Sequence, residues 1–385
     1  MRDLQAELAS LQTSQSLRHR RVVDSHAGSK ATIGGREFLS FSSNDYLGLA
    51  GDARVVAALC EGAQRFGAGA GASHLVSGHH RVHEKLEQRL AEFVGMPRAL
   101  LFSSGYLANL AAVTTLADRS TEIFADRLNH ASLNDAMRLT RSRFHRYPHC
   151  DLSALERALE GSRAADKLVV TDAVFSMDGD IAPLHRILAL CERFDARLLV
   201  DDAHGFGVLG PGGRGSLAHF ALASPRIVYM GTLGKAAGVS GAFVAGPENE
   251  TELMIQRARP YIYTTASPPA LAVALTRSLE LIETESWRRD RLAQLSRRLT
   301  DGLRPRRWRF TPSPTAIQPL IIGANHEALA VSGALADVGI IVPAIRPPTV
   351  PEGTARLRIS LSAAHQEADI DQLVAALVGA EENMA

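Results

Sequence analysis

Three features of this chain have the residue types to do chemistry together: a lysine in a glycine-rich turn, an acid closing an apolar strand, and a helix that opens on glycine. Lys235 lies in IVYMGTLGKAAGVSGAFVAG, with the apolar run Ile227–Met230 before it and Ala242–Ala245 after it. Two buried strands are expected to flank a tight turn that carries the lysine. A buried or positively surrounded lysine becomes an amine nucleophile toward carbonyl carbon, although a Gly-Lys pair taken alone reads more simply as a solvated loop. In LLVDDAHGFGVLG, Asp201 ends a continuous apolar run, and such an acid is costly to bury unless it meets a cation. His204, three residues on, is placed to share its site. Asp202 is expected to face outward or cap a turn, and is assigned no chemistry.

Other polar residues follow apolar runs in the same way. Ser103-Ser104-Gly105-Tyr106 follows Ala99–Phe102 and opens a helix, whose free N–H groups and dipole suit a phosphate. His130 follows Glu122–Ala125, where by itself it reads as a structural histidine. Asp172 and then Ser176-Met177-Asp178-Gly179-Asp180 follow Lys167–Thr171.

The elements that must position these residues are six short apolar strands, Ala99–Phe102, Glu122–Ala125, Lys167–Thr171, Arg197–Val200, Ile227–Met230 and Ala242–Ala245. They alternate with helical stretches such as Leu107–Leu116, Leu152–Glu160 and Ile187–Arg193, the second opened by a capping box of Ser153 and Glu156. That alternation defines an α/β fold with a mostly parallel sheet covered on both faces, in which ligands gather at the carboxyl ends of the strands. Beyond Pro268 long helices precede strands at Ile317–Ile322, Ile340–Ile345 and Arg356–Leu361, the pattern of a smaller α+β domain with a partly antiparallel sheet. A chain of 385 residues exceeds what one core usually supports. We expect an N-terminal helix and strand over 1–40 that pack with the small domain, a large α/β domain over 41–285, and the small domain over 286–385.

Composition excludes several classes of function. With 42 basic and 41 acidic residues the net charge is +1, which gives no footprint for nucleic acid or an anionic membrane. Cys60, Cys150 and Cys191 form no close pair, so a reducing cytoplasm is expected, without a disulfide framework or a zinc site. The leading segment reads as an amphipathic helix and no stretch is apolar enough to span a bilayer. Gly67–Gly71 does not follow a strand, Gly210–Gly215 lacks the Lys-Ser/Thr of a P-loop, and His79, His80 and His83 lack a metalloprotease signature. No metal is expected.

An anion-binding helix start, a buried acid, histidines and a lysine are the parts needed to hold pyridoxal 5'-phosphate. The segments SSNDYLGL, FSSGYLANLAAV, DRLNHASLNDA, VFSMDGD, VDDAHGFGVLG, GTLGKAAGVSGAFVAG, IYTTASPPA and RPPTVPEGTARLRISLSAAH resemble, in that order, the α-oxoamine synthases. The resemblance implies the aminotransferase-like fold type I of pyridoxal phosphate enzymes, a homodimer with sites at the subunit interface, and condensation of an amino acid with an acyl thioester. The run Ile345–Arg358 resembles members that join L-alanine to a pimeloyl thioester, carried on coenzyme A or on an acyl carrier protein. Glycine-using members are the alternative. A DNA-binding regulator built on the same fold would need a DNA-binding head, and none is seen.

The same resemblance assigns residues. It gives the cofactor's aldehyde to Lys235, which then acts as general base, and the pyridinium to Asp201. His204 and Ser176 meet the phenolic oxygen, and His130 stacks on the ring. The phosphate goes to Gly105, Tyr106 and Thr232, with Thr264 or Thr265 reaching it from a second subunit. Arg358 and Asn44 are implied for the substrate carboxylate, and Arg18 and Thr349 for the acyl-thioester path.

Overall fold

The computed structural model describes residues 2–384, and the chain divides into two compact units. The larger comprises Leu49–Ser176 and Ile181–Ser286; the smaller comprises the chain up to Gly48, Met177–Asp180 and Trp287 onward. Residues 41–48 and 177–180 therefore group with the smaller unit rather than with the larger one.

The larger unit is built on a seven-stranded sheet. Its strands in chain order are β1 (Arg98–Phe102), β2 (Thr121–Asp126), β3 (Arg143–Tyr147), β4 (Asp166–Asp172), β5 (Arg197–Asp201), β6 (Ile227–Thr232) and β7 (Ala242–Gly246). Their spatial order is β1-β7-β6-β5-β4-β2-β3. Neighbours from β6 through β3 are parallel, and β7 runs antiparallel to both β1 and β6. Two successive reversals at β7 bring β1 back to the common direction, so the carboxyl ends of the other six strands share one edge. Every residue of β2, β6 and β7 is buried, as expected of strands covered on both faces.

Each expected strand of this sheet is present to within two residues. Strand β3 is not anticipated, because Arg-Phe-His-Arg-Tyr is an edge strand whose one fully buried residue is Tyr147, and it carries no apolar run. The helix at Leu152–Gly161 is capped by Asp151, whose carboxylate accepts from Ala154 N at 2.9 Å, and not by the Ser153–Glu156 pair. Aspartate one residue earlier satisfies the first-turn donors, leaving Ser153 inside the helix.

The smaller unit holds two four-stranded sheets. Arg36–Ser40 pairs in parallel with Ile340–Ile341, and Ala355–Ser360 pairs antiparallel with Ile317–Gly323 and with Ala344–Ile345. The single strand expected at Ile340–Ile345 is thus two, divided at Pro343, which has no N–H to continue a ladder. The N-terminal helix Leu4–Thr13 forms but buries none of its residues, leaving Leu4, Leu8 and Leu11 exposed. Among the described residues no helix is long and apolar enough to cross a membrane.

Candidate active site

The turn between β6 and β7 makes the lysine's position. Leu233 N donates to Gly241 O at 2.8 Å and Gly238 N to Lys235 O at 2.8 Å, folding the segment Leu233 to Gly241 back on itself. Gly238 is required there: its φ is +68°, and a Cβ would lie 2.4 Å from Ala50 N. Lys235 is half-buried, and its Nζ is 2.9 Å from Nε2 of His204, itself buried one turn after β5.

Asp201 closes β5 and is 4% exposed. One carboxylate oxygen accepts from Ala203 N at 2.9 Å, the other from Asn109 Nδ2 at 2.7 Å. These hydrogen bonds hold the acid at the strand edge with its oxygens already oriented. Asn109 sits in α1 (Gly105–Leu116), the helix expected to receive a phosphate, and its second N–H donates to Ser132 Oγ at 2.8 Å. Ser132 opens α2 (Ala131–Thr140), which His130 caps: His130 Nδ1 lies 2.7 Å from Ser132 Oγ. The backbone N–H of His130 donates to Asp172 at 3.1 Å. Asp172 and Asp201 are paired across β4 and β5, and burial followed by Asp201's charge pushes the Asp172 carboxyl well above the usual range.

At the start of α1, Ser104 Oγ accepts from Leu107 N at 3.3 Å, and a Cβ built on Gly105 would lie 3.9 Å from Thr232 Oγ1. Helix start and threonine hydroxyl therefore adjoin one another. Tyr106 turns its hydroxyl to Asp135 at 2.6 Å, leaving only its backbone for the helix start. Ser176 follows β4 and is half-buried, and Thr265 is exposed on a segment bridged to Ser73.

Asp202 does not face outward. It is fully buried, accepting from Ser216 N at 2.7 Å and the Tyr229 hydroxyl at 2.8 Å, and burial pushes its carboxyl up to about 7. The strand ends at Asp201, so alternation of faces no longer governs the next residue, and the turn carries it inward.

In the smaller unit Arg358 is 5% exposed, and Nη1 donates to Asn44 Oδ1 at 3.1 Å and Ser360 Oγ at 2.8 Å. Its Nη2 reaches the Tyr46 hydroxyl at 3.2 Å. Arg18 and Thr349 are both exposed, with Arg18 Nη2 3.4 Å from Thr349 Oγ1. The structure thus gathers Lys235, His204, Asp201, His130, Gly105, Tyr106, Thr232 and Ser176 on one sheet edge of the larger unit, and Arg358 with Asn44 in the smaller. Asn109 and Ser132 escape sequence reasoning, the first because it is a polar residue inside an apolar helix. Its one signal is a place four residues after Gly105, one turn along the same face.

Two other features hold none of these residues. A cleft of about 490 Å³ is lined by Ala58, Lys85, Val273 and their neighbours. His74, His79 and His83 converge, but His74 Nδ1 is 2.8 Å from His79 Nδ1, His79 Nε2 is 3.1 Å from Glu84, and His83 Nδ1 accepts from His80 N. Burial pushes His74 and His83 down to about 4, so both are neutral near pH 7, and His74 bonds to His79.

The donor set of the larger unit fits pyridoxal 5'-phosphate. A helix start with an adjacent hydroxyl suits the phosphate, a buried and oriented carboxylate suits a ring cation, and a lysine amine suits an aldehyde.

Comparison with known proteins agrees. The sequence model of class I and II aminotransferases matches residues 36–377, and the chain belongs to that family, with the fold type I of pyridoxal phosphate enzymes. Within it, the chain is 62% identical over 360 residues to the 8-amino-7-oxononanoate synthase of Nitrosospira multiformis, covering 94% of this chain and 91% of that one. A structure of serine palmitoyltransferase (SPT) with its PLP internal aldimine superposes with a TM-score of 0.93 at 32% identity, covering 99% of each chain. The 8-amino-7-oxononanoate synthase of Francisella tularensis superposes with a TM-score of 0.77 at 31% identity, over 90% of this chain and 98% of that one.

Proposed function

We propose that this chain catalyses the decarboxylative condensation of L-alanine with a pimeloyl thioester, giving 8-amino-7-oxononanoate, carbon dioxide and a free thiol, with pyridoxal 5'-phosphate as cofactor. The observation that carries the reading is the 62% identity, across 94% of the chain, with an 8-amino-7-oxononanoate synthase. The cofactor is supported by the fit of the donor set and by the solved SPT that carries it.

When bound, pyridoxal phosphate supplies an aldehyde carbon that takes up an amine and a protonated ring that draws electrons from the substrate's α-carbon. Lys235 would hold it through its Nζ amine. The same Nζ would take the substrate's α-carbon proton and return one, with His204, 2.9 Å away, orienting it. Asp201, oriented by Asn109 and Ala203 N, would pair with the ring nitrogen and favour its protonated form. His204 and Ser176 would bind the phenolic oxygen, and His130 would stack on the ring. Gly105 N, Tyr106 N and the Thr232 hydroxyl take the phosphate.

The working unit is a homodimer in which Thr265 of one copy reaches the phosphate held by the other. In the smaller unit, Arg358 with Asn44 holds the alanine carboxylate, for which a guanidinium fork is the matching shape. Arg18 and Thr349 line the acyl-thioester path.

Release of carbon dioxide and thiol, measured with L-alanine plus pimeloyl-CoA or the pimeloyl carrier protein against glycine plus acetyl- or succinyl-CoA, tests the reading. Turnover is expected with alanine and a pimeloyl thioester, and the faster carrier identifies the natural donor. Preference for glycine would overturn the substrate assignment. Light scattering that returns a monomer would remove Thr265 from the site.

A further inference from the structure

A chain of three short hydrogen bonds runs from Asp201 to His130, and its polarity has a chemical consequence. Asn109 and Ser132 are fully buried and Asp201 nearly so. As the carboxylate its role demands, Asp201 can only accept. Asn109 must therefore present Nδ2 to it, as it does at 2.7 Å; the flipped amide would set Oδ1 against the carboxylate, acceptor against acceptor. The other hydrogen of the same NH₂ goes to Ser132 Oγ at 2.8 Å, and Asn109 Oδ1 is left buried without a partner. That orphaned acceptor indicates that both N–H bonds are required where they are. Since Ser132 Oγ accepts from Asn109, its own hydrogen is free to be donated, and the atom at 2.7 Å is His130 Nδ1. Ser132 N also donates to that nitrogen, at 3.3 Å. Two donors converge on Nδ1, and Nε2 has no partner among the described residues.

We infer that Asn109 and Ser132 hold His130 as the neutral imidazole with its proton on Nε2, so that the atom left to act on a ligand is a hydrogen-bond donor. Asn109 and Ser132 are positioning residues in this arrangement. Both are fully buried, and they act through the ring they orient. Protonating Nδ1 would reverse the last bond and leave the Ser132 hydroxyl without an acceptor in a buried place. The charged groups facing His130 are Asp201, Lys235 and Asp135, and none of them supplies a hydrogen bond to the ring.

The inference rests on the proposed function for His130's place beside the cofactor, but its test requires no turnover. Holoenzyme labelled with ¹⁵N-histidine is titrated between pH 5 and 9, with the His130 signals identified by their absence in His130→Gln. Wild type is expected to show an unprotonated, pyridine-like Nδ1 and a protonated Nε2 at pH 7. In Ser132→Ala, loss of the hydroxyl donor should raise the proton affinity of His130 at least tenfold, one pH unit. Asn109→Ala should raise it in the same direction by freeing the Ser132 hydroxyl to turn, and Ser132→Thr should restore the wild-type titration. If Ser132→Ala fails to fold, Asn109→Ala and Ser132→Thr still decide. A protonated Nδ1 in wild type at pH 7, or alanine variants at Ser132 and Asn109 that titrate as wild type does, would overturn the inference. Because the readout is the ring itself, an enzyme that prefers glycine would leave this result standing.

Discussion

The strand-edge residues of the larger unit and the pair Arg18 and Thr349 of the smaller unit are positioned in different ways. Asp201, Asn109, Ser132 and His204 are all buried, and each hydrogen bond among them replaces one lost to water. A buried polar group left unpaired costs about 1–3 kcal/mol, so folding itself fixes these side chains before any ligand arrives. Arg358 follows the same rule in the smaller unit, closed in by Asn44, Ser360 and Tyr46. Arg18 and Thr349 do not: both are exposed and share one long contact at 3.4 Å. The residues proposed for the cofactor and the carboxylate are therefore preorganised, whereas Arg18 and Thr349, proposed for the acyl path, are not.

Substitutions should rank accordingly. Lys235→Ala is expected to lower kcat by roughly 10³-fold or more with the far-ultraviolet circular dichroism unchanged, since it removes both the cofactor's attachment and the proton carrier. Carbon dioxide release checks it, and turnover near wild type would end the role of Lys235. Next is Arg358→Lys, which keeps the charge and loses the fork. The KM for alanine should rise about tenfold, with kcat changed less, because Arg and Lys differ where two parallel hydrogen bonds are made.

Asp202→Asn separates structure from chemistry at adjacent residues. Asp202 is held up to about 7 in the folded chain, above the ordinary 3.8, so between those values the folded state binds more protons than the unfolded one. Its contribution to stability is fully present below pH 4 and is lost as pH rises through 7. Urea unfolding should show a fall in stability over that window which Asp202→Asn flattens, and the cofactor's absorbance should stay as in wild type. An altered cofactor spectrum would blur the contrast with Asp201. The smallest effect is expected from Thr349→Ala: a change within about 0.5 kcal/mol in stability, as for most exposed positions, and a KM for the thioester within roughly threefold. A tenfold loss there would mean the acyl path is preorganised too.

Much of this was legible in the sequence because burial on both faces leaves continuous apolar runs. Strands such as Ile227–Thr232 announce themselves, and the polar residue after each marks the ligand edge. Lys235 and Asp201 stand out for that reason. Strand β3 did not, having charged residues on its solvent side, and neither did the break at Pro343, where one apolar stretch serves two sheets. Asn109 and Ser132 are silent in sequence because their role is defined by partners distant along the chain. Asp202 shows the limit of face alternation: the rule ends where the strand does.

The most direct test is to reduce the holoenzyme with borohydride and map the cofactor-bearing peptide. The lysines of this chain are Lys30, Lys85, Lys167 and Lys235, which makes the mapping unambiguous. Reduction is predicted to fix the cofactor on Lys235 and on none of the others. Label on Lys30, Lys85 or Lys167, or a reduced protein that carries no cofactor, would contradict the assignment of Lys235 and of the strand-edge cluster around it.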